Sequence, residues 1–407
     1  MALCAAVLFH ALTLLSPAWW QTRAVKNGRD FASYYYAVQV AAEGGDPYDT
    51  PALSKRARQD GTRKSVHPFL YAPPFVGMMA WAIPLELSGA YHLWFWLHEL
   101  CLVATMAVLA LWWREASPAA PWAMAVLVAL MTAIPNNHLM GQANFPGLAL
   151  AMGGVWATQR GRPFVGGALL GTACMLKMSP ALLVMWWLLR REWVAVVASV
   201  VTAVLLSVAV LPLVGWTHQI TFFTEVLPGF GSGDYNGLAV PIGLFGNHSV
   251  PNLWHHVFPG ARGLLSDTAR SLSSATNISL LVGLAVALRR APADTLQLAG
   301  QVGAVGVLML LFPVYTYEHH LVWALPAMLA VVLGAEQGRL GWRWAVAAGM
   351  GIAFVMFDLQ DLKRTAEAHG GAVHGVVMEL KTVGLGALMF ASARLGAVSP
   401  AEASTDG

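Results

Sequence analysis

Long apolar runs separated by short polar segments dominate the 407-residue chain. A run of about 20 apolar residues crosses a bilayer as a helix, and runs near that length recur along the whole sequence. The apolar segments are 2–20, 69–87, 91–113, 121–135, 143–159, 163–189, 192–214, 275–289, 296–313, 320–335, 342–357 and 375–394. The pattern predicts an all-α, polytopic integral membrane protein with about 12 transmembrane helices.

The composition agrees with a membrane protein rather than a soluble one. Hydrophobic residues make up 57% of the chain, charged residues 11%, and the mean hydropathy is +0.58. The two polar stretches, about 21–68 and 215–274, are too short to fold as separate soluble domains. We therefore expect one integral membrane domain over residues 1–407, with these stretches as its external loops. The first apolar segment lacks a basic leader and an A-x-A cleavage site, which favours a retained helix.

Charge and cysteine usage exclude several classes of function. The formal net charge is only +3, and the basic residues occur in loops as in other membrane proteins, so we expect no nucleic-acid partner. The cysteines Cys4, Cys101 and Cys174 all fall in apolar segments and match neither a disulfide framework nor a metal site. We expect no metal and no cofactor.

The first polar loop has the pattern of two amphipathic surface helices. Asp30 is placed to cap the first helix, whose apolar residues follow helical spacing. Those residues are Phe31, Tyr34, Tyr35 and Val38. Thr50 is predicted to cap the second helix, with Pro51 at its first position and Gly61 beyond its end.

Arginine distribution predicts the orientation of the second half of the chain. The positive-inside rule places the arginines at 190–191, 289–290, 339–343 and 394 in the cytoplasm, and hence 215–274 and 315–320 outside. The first loop carries more basic than acidic residues, so the rule taken alone would put it inside. Segment 163–189 is either one helix kinked at Pro180 or a hairpin with Lys177 at its tip.

Familiar signatures of soluble enzymes are absent. The glycine-rich run 229–234 has no preceding strand and no Gly-Lys-Ser/Thr, so a flexible loop is favoured over a phosphate-binding loop. His98-Glu99 lacks the second histidine of a zinc protease motif. Polar residues at the ends of spans remain as candidates, because such residues in membrane proteins are commonly functional.

Each of these candidates has a structural alternative. Asp30 serves as a helix cap, as a catalytic base, or as both, and Asp46 before Pro47 suits a simple turn. Lys177 either extends its ammonium toward water or pairs with a phosphate. His319 and His320 either hydrogen-bond to water and loops or bind a phosphate, a sugar hydroxyl or a metal.

Seven short motifs, in order along residues 29–323, resemble those of glycosyltransferase family 87, a member of the GT-C superfamily that includes mycobacterial α-mannosyltransferases. The motifs are Arg29-Asp30-Phe31 with Tyr34-Tyr35, Gly45-Asp46-Pro47-Tyr48, Tyr71-Ala72-Pro73-Pro74, Gly141-Gln142-Ala143-Asn144, Lys177-Met178-Ser179-Pro180, Gly246-Asn247-His248-Ser249 and Glu318-His319-His320-Leu321-Val322-Trp323. The family usually has glutamine at the position of His248 and often aspartate at that of Glu318.

The resemblance implies a GT-C-like bundle with Asp30 as the catalytic base. It further implies that the first loop lies on the external side of the membrane. It also implies substrate-binding roles for the other polar motif residues. These are Arg29, Asp46, Tyr48, Tyr71, Gln142, Asn144, Lys177, Asn247, Ser249, Glu318, His319 and His320.

The reaction expected from the resemblance is sugar transfer from a polyprenyl phosphate to a hydroxyl of a lipid or glycan acceptor. The sugar is mannose or a related one, the transfer inverts its anomeric centre, and the site faces the extracytoplasmic side of the plasma membrane, among membrane lipids. The alternative is a polytopic transporter or lipid flippase, whose interrupted helices would look similar. The two halves of the chain show no internal repeat, which disfavours that alternative.

Overall fold

The structure is a computed structural model that describes residues 28–230, 234–235, 238–239, 241–244, 246–369 and 371–397. The predicted first span 2–20 and the expectation that it is retained lie outside the described residues, as does Cys4. Part of the glycine-rich run 229–234 lies outside them as well.

Apart from one pair of two-residue strands, the regular structure of the described residues is helical, as predicted. The helices of the first half are α1 Arg29–Ala42, α2 Thr50–Gln59, α3 Pro73–Met78, α4 Leu87–Trp113, α5 Ala120–Leu130, α6 Ala133–Met140, α7 Asn144–Gln159, α8 Pro163–Leu176, α9 Ala181–Leu189 and α10 Trp193–Ala209. A 3-10 turn, Ala80–Ala82, follows α3.

The second half continues the same design. Its helices are α11 Leu211–Thr221, α12 Val250–Val257, α13 Asp267–Ala287, α14 Thr295–Leu311, α15 Leu325–Glu336, α16 Trp342–Met356, α17 Gln360–His369 and α18 Gly371–Ala397. A π-helix, Phe222–Val226, and a turn, Leu227–Gly229, extend α11, and 3-10 segments cover Ala261–Gly263 and Glu318–Ala324. The two-residue strands β1 Asp234–Tyr235 and β2 Leu238–Ala239 pair antiparallel.

Three helical stretches of the described residues are long and apolar enough to cross a bilayer, namely Leu87–Trp113, Glu318–Glu336 and His374–Ala397. Three bent pairs raise this number to six if each pair is one span. The pairs are α5 with α6 at 58°, α10 with Leu211–Gly229 at 111°, and α16 with α17 at 92°. Two shorter apolar helices are α8 and α14. The protein is therefore a multi-pass membrane protein in which many helices are broken.

Two of the predicted apolar segments take another form. Segment 69–87 is not a span, because it forms only the six-residue α3 and a 3-10 turn. Its aromatic residues Phe69 and Phe75 are completely buried inside the protein instead of facing lipid. Segment 163–189 is broken into α8 and α9 at residues 177–180, and Lys177 has an extended backbone there.

The first loop also differs from its predicted form. Asp30 is not the helix cap, since α1 begins at Arg29 after Gly28 and the Asp30 carboxylate turns toward other partners. Asp49 rather than Thr50 caps α2, through its side chain and the Ala52 N–H. Helix α1 is buried from Phe31 to Val40, so it lies within the protein rather than on its surface. Aromatic side chains all around α1 explain this burial.

Close packing of α8 on α10 depends on glycines in α8. A Cβ at Gly171 would lie 2.4 Å from the carbonyl oxygen of Ser199, and one at Gly167 would lie 2.3 Å from that of Ala195. Small residues allow helix backbones in a membrane to approach this closely. The contact fixes α8, and α8 ends one residue before Lys177.

We expect Gly171→Ala to lower the melting temperature, because the new methyl group has no room against Ser199 and overpacking costs about 1–3 kcal/mol. The matched control is Gly349→Ala on α16, where a Cβ meets nothing within 4 Å. There alanine should leave stability unchanged or raise it by about 0.5–1 kcal/mol through helix propensity. Thermal unfolding of both purified variants measures the difference, and equal melting temperatures would contradict the packing argument.

Candidate active site

Asp30 is the second residue of α1, and its two carboxylate oxygens have different partners. Oδ2 accepts a hydrogen bond of 2.8 Å from Nε2 of Gln142, which comes from the junction of α6 and α7. Oδ1 lies 3.3 Å from Nδ1 of His67 in the first loop. The Asp30 side chain is 15% exposed and that of His67 is 43% exposed. The carboxylate is thus held in place yet remains open to a ligand.

Two tyrosines orient the amide that binds Asp30. The hydroxyl of Tyr71 donates to Oε1 of Gln142 at 2.7 Å, and the hydroxyl of Tyr34 donates to that of Tyr71 at 2.6 Å. The Tyr34 hydroxyl also lies 3.2 Å from the same amide oxygen. Because Oε1 accepts from hydroxyl groups, the NH2 end of Gln142 must face Asp30.

The electrostatics of this group keep Asp30 ionised. Burial alone would raise the pKa of the Asp30 carboxyl, but the hydrogen bond and charge of His67, the charge of His319 and the hydrogen bond of Gln142 bring the pKa below its usual value. Burial raises the pKa of Tyr34 and of Tyr71, so both phenols stay protonated as donors. The group therefore presents a carboxylate surrounded by hydrogen-bond donors.

Lys177 reaches the same region from the break between α8 and α9. Its Nζ donates to Oδ1 of Asn144 at 2.6 Å, and the indole Nε1 of Trp323 donates to that oxygen at 3.2 Å. The Nδ2 group of Asn144 donates to Oδ1 of Asn137 at 2.8 Å and to the carbonyl oxygen of His319 at 3.0 Å. Lys177 and Asp30 thus bind to neighbouring residues of the α6–α7 junction, Lys177 to Asn144 and Asp30 to Gln142.

His319 completes the cluster from the 3-10 segment Glu318–Ala324. Its backbone carbonyl accepts from Asn144, and its buried Nε2 has no hydrogen-bond partner within the described residues. The rings of His319 and His320 lie perpendicular with centroids 4.3 Å apart, and Nδ1 of His320 accepts from the Tyr317 N–H at 3.2 Å. A carboxylate, an ammonium and an imidazole from distant parts of the chain thus converge.

The side chains of Asn247 and Ser249 bind backbone. Nδ2 of Asn247 donates to the carbonyls of Ile242 and Val314 at 3.0 Å each, and its Oδ1 accepts from the Thr316 N–H at 2.9 Å. The hydroxyl of Ser249 donates to the same Val314 carbonyl at 2.8 Å. Both side chains are completely buried, and they hold the second loop against the segment that carries His319. Their role in substrate binding stays a prediction.

Asp46 and Tyr48 lie at the side of Tyr71. The Asp46 carboxylate accepts from the Tyr48 N–H at 2.8 Å and lies 3.3 Å from Nδ1 of His218. The Tyr48 hydroxyl donates to the carbonyl of Tyr71 at 2.9 Å. Asp46 therefore forms the turn expected before a proline, and Tyr48 supports Tyr71 from outside the cluster. The side chain of Arg29 lies outside the described residues.

Sequence reasoning missed three features of this region, namely Tyr34 as an amide-orienting group, His67, and Trp323 as a donor to Asn144. A lone histidine before a proline carries no sequence signal that separates it from a surface residue. Within the described residues, no three or more His, Cys, Asp or Glu side chains form a group arranged to hold a metal ion.

Comparison with known proteins identifies the family to which this chain belongs. The family model described as Glycosyltransferase family 87 matches residues 69–313, more than half of the chain. The chain belongs to glycosyltransferase family 87. It is therefore a membrane glycosyltransferase, and the resemblance of its motifs to that family is confirmed. Asp30 and His319 lie outside the matched range, so their roles do not follow from the match.

The relatives of this family 87 member include three mannosyltransferases. The polyprenol-phosphate-mannose-dependent alpha-(1-2)-phosphatidylinositol mannoside mannosyltransferase of Mycolicibacterium smegmatis is 26% identical over 59% of this chain and 53% of the relative. The polyprenol-phosphate-mannose-dependent alpha-(1-2)-phosphatidylinositol pentamannoside mannosyltransferases of Mycolicibacterium smegmatis and Mycobacterium tuberculosis are each 25% identical over 86% of this chain, and over 82% and 79% of their own lengths. The match spans about half of the first relative.

Proposed function

We propose that this protein transfers mannose from a polyprenyl-phosphate donor to a hydroxyl group of a glycolipid acceptor, with inversion at the anomeric carbon. The observation that carries the proposal is the convergence of Asp30, Lys177 and His319. The polyprenyl-phosphate-mannose dependence in the names of its relatives supports the donor, and their phosphatidylinositol mannosides support a glycolipid acceptor.

In the proposed reaction, Asp30 acts as the general base. The acceptor oxygen bonds to the anomeric carbon while its proton passes to Asp30, and the bond from that carbon to the phosphate oxygen breaks with its electron pair. Gln142 and the two tyrosines hold the carboxylate in one orientation. One carboxylate suffices for a single displacement, which inverts the anomeric centre.

The leaving group needs positive charge and donors rather than an acid, because it is a lipid phosphate. Lys177, His319 and His320 are the groups proposed to bind that phosphate. The unpartnered Nε2 of His319 supports this assignment, since a buried polar nitrogen without a partner is costly unless a ligand pairs with it. Gln142 and Tyr71 are proposed to position Asp30, and Asn144 to position Lys177 and His319. The other residues proposed to bind the substrates are Arg29, Asp46, Tyr48, Asn247, Ser249 and Glu318.

We further propose a GT-C-like bundle of about 12 spans in the plasma membrane, with the site on the extracytoplasmic side. The N- and C-termini are then cytoplasmic, and loops 21–68 and 215–274 and segment 315–320 are outside. Helix α2 lies at the outer membrane surface, where its exposed residues Lys55 and Arg58 meet anionic headgroups.

Asp30→Asn should lower the transfer rate by about a hundred- to ten-thousandfold, because the amide keeps the shape but cannot accept the proton. Mannose transfer from polyprenyl-phosphate mannose by purified protein measures this effect. The control is Asp60→Asn, an exposed carboxylate at the end of α2, which should transfer at the wild-type rate. A near wild-type rate in the Asp30 variant would leave Asp30 without a catalytic role.

Lys177→Met should weaken donor binding more than folding, because methionine replaces the apolar stem without the charge. His319→Ala and His320→Ala should affect the same binding step. If the three groups share one phosphate, their effects in double variants will be non-additive. Donor affinity and melting temperature are measured for every single and double variant. Unchanged affinity in all single variants would refute the phosphate site, and additive losses would refute a shared one.

Cysteine labelling tests the orientation. In a cysteine-free background, Asp60→Cys and Asp267→Cys should both react with an impermeant thiol reagent in intact cells, because both positions are exposed and proposed to be outside. Leu189, which precedes Arg190-Arg191, provides the inside control as Leu189→Cys and should react only after permeabilisation. Labelling at 267 without labelling at 60 would place the first loop inside and separate Asp30 from His319.

A further inference from the structure

A buried ionic cluster lies next to His319 and joins it to the C-terminal helix α18. The Glu318 carboxylate accepts a hydrogen bond of 2.5 Å from Nζ of Lys381 and one of 3.0 Å from Nε2 of His248. The side chains of Lys381 and His248 are 0% exposed and that of Glu318 is 13% exposed. Two departures of this chain from the usual family pattern, His248 and Glu318, thus contact each other.

Lys381 is an unusual residue for its position. It lies within His374–Ala397, which is apolar and long enough to cross a bilayer. Charged groups inside spans are costly and are retained where they are paired and carry a function. Glu318 accepts the hydrogen bond of this lysine, and Glu318 is the residue directly before His319.

The segment that carries His319 is held at several points. The backbone N–H of His248 donates to the carbonyl of Thr316 at 2.8 Å, and the His248 ring donates to Glu318. The Nδ2 group of Asn144 donates a hydrogen bond to the backbone carbonyl of His319. Because the segment is 3-10 over Glu318–Ala324 before it continues as α15, these side-chain contacts help to fix where His319 Nε2 lies.

We infer that Lys381, acting through Glu318 together with His248, is a positioning residue that sets His319 against the phosphate of the sugar donor. This inference rests on the proposed function of His319. Lys381 does not itself touch the substrate. Its ammonium fixes the Glu318 carboxylate, and that carboxylate fixes the neighbouring backbone. The last span of the chain thereby takes part in donor recognition.

Lys381→Met should raise the KM for polyprenyl-phosphate mannose about tenfold or more and change kcat less, since a displaced binding group weakens donor binding. The double variant Lys381→Met with Glu318→Gln should recover part of this loss, because the Glu318 carboxylate is no longer left without the Lys381 ammonium. A melting temperature that falls without any change in donor KM would overturn the inference and leave Lys381 with a structural role only.

The matched control is Glu379→Gln, two residues earlier on the same helix. Glu379 is also buried, but it accepts from Asn252 at 3.0 Å and contacts Nδ1 of His256 at 2.5 Å rather than binding next to His319. Its loss should lower the melting temperature and leave donor KM unchanged. An equal rise of donor KM in Glu379→Gln would show a general effect of weakening α18 and overturn the inference.

Lys381→Arg keeps the experiment decisive if Lys381→Met does not fold. Arginine retains the charge but its larger head displaces Glu318, so donor KM should rise by a smaller factor, and an unchanged value overturns the inference. Binding of polyprenyl phosphate alone is measured for the same proteins. If the wild type neither transfers mannose nor binds polyprenyl phosphate, the proposed function fails. If the wild type does both and the Lys381 variants match it, only the positioning role fails.

Discussion

The geometry of the site depends on the hydrogen bonds of the Asn144 side chain. This side chain is completely buried and forms four hydrogen bonds, accepting from Lys177 and Trp323 and donating to Asn137 and His319. Both its oxygen and its amide nitrogen are in use, so the carboxamide has one orientation. An apolar residue here would leave Lys177 without this acceptor and would remove one of the contacts that hold the segment with His319.

The site forms where helices are broken. Gln142 follows the end of α6, Lys177 lies between α8 and α9, and His319 is in a 3-10 segment. Within a membrane, irregular backbone is tolerated only when protein groups satisfy it. Trp94 donates to the Gly141 carbonyl at 2.8 Å, and Tyr91 donates to the His138 carbonyl at 2.5 Å. The same breaks that need these partners also bring polar side chains together at one place.

The sequence predicted the class of structure and much of the site, because hydropathy and local motifs depend on neighbouring residues. It did not predict contacts such as that between Asp30 and Gln142, which joins residues 112 positions apart. That contact also explains why Asp30 is not a cap. Hydropathy predicts a span over 69–87 because it does not distinguish side chains buried in protein from those facing lipid. Local patterns do not predict the pairing of Lys381 with Glu318 either, because these two residues are also far apart in the chain.

The charges of the site suggest how the proposed donor and acceptor divide it. Lys177 is a cationic residue that donates a hydrogen bond to Asn144, and the carboxylate of Asp30 accepts one from Gln142. A phosphate adds negative charge and favours the side of Lys177 and His319, away from the Asp30 carboxylate. The acceptor hydroxyl, which must lose a proton, favours the Asp30 side. In the proposed reaction the anomeric carbon lies between the two groups, as a single inverting displacement requires. The opposite charges of Asp30 on α1 and Lys177 at the α8–α9 break therefore serve, in that reaction, both substrate binding and the direction of transfer.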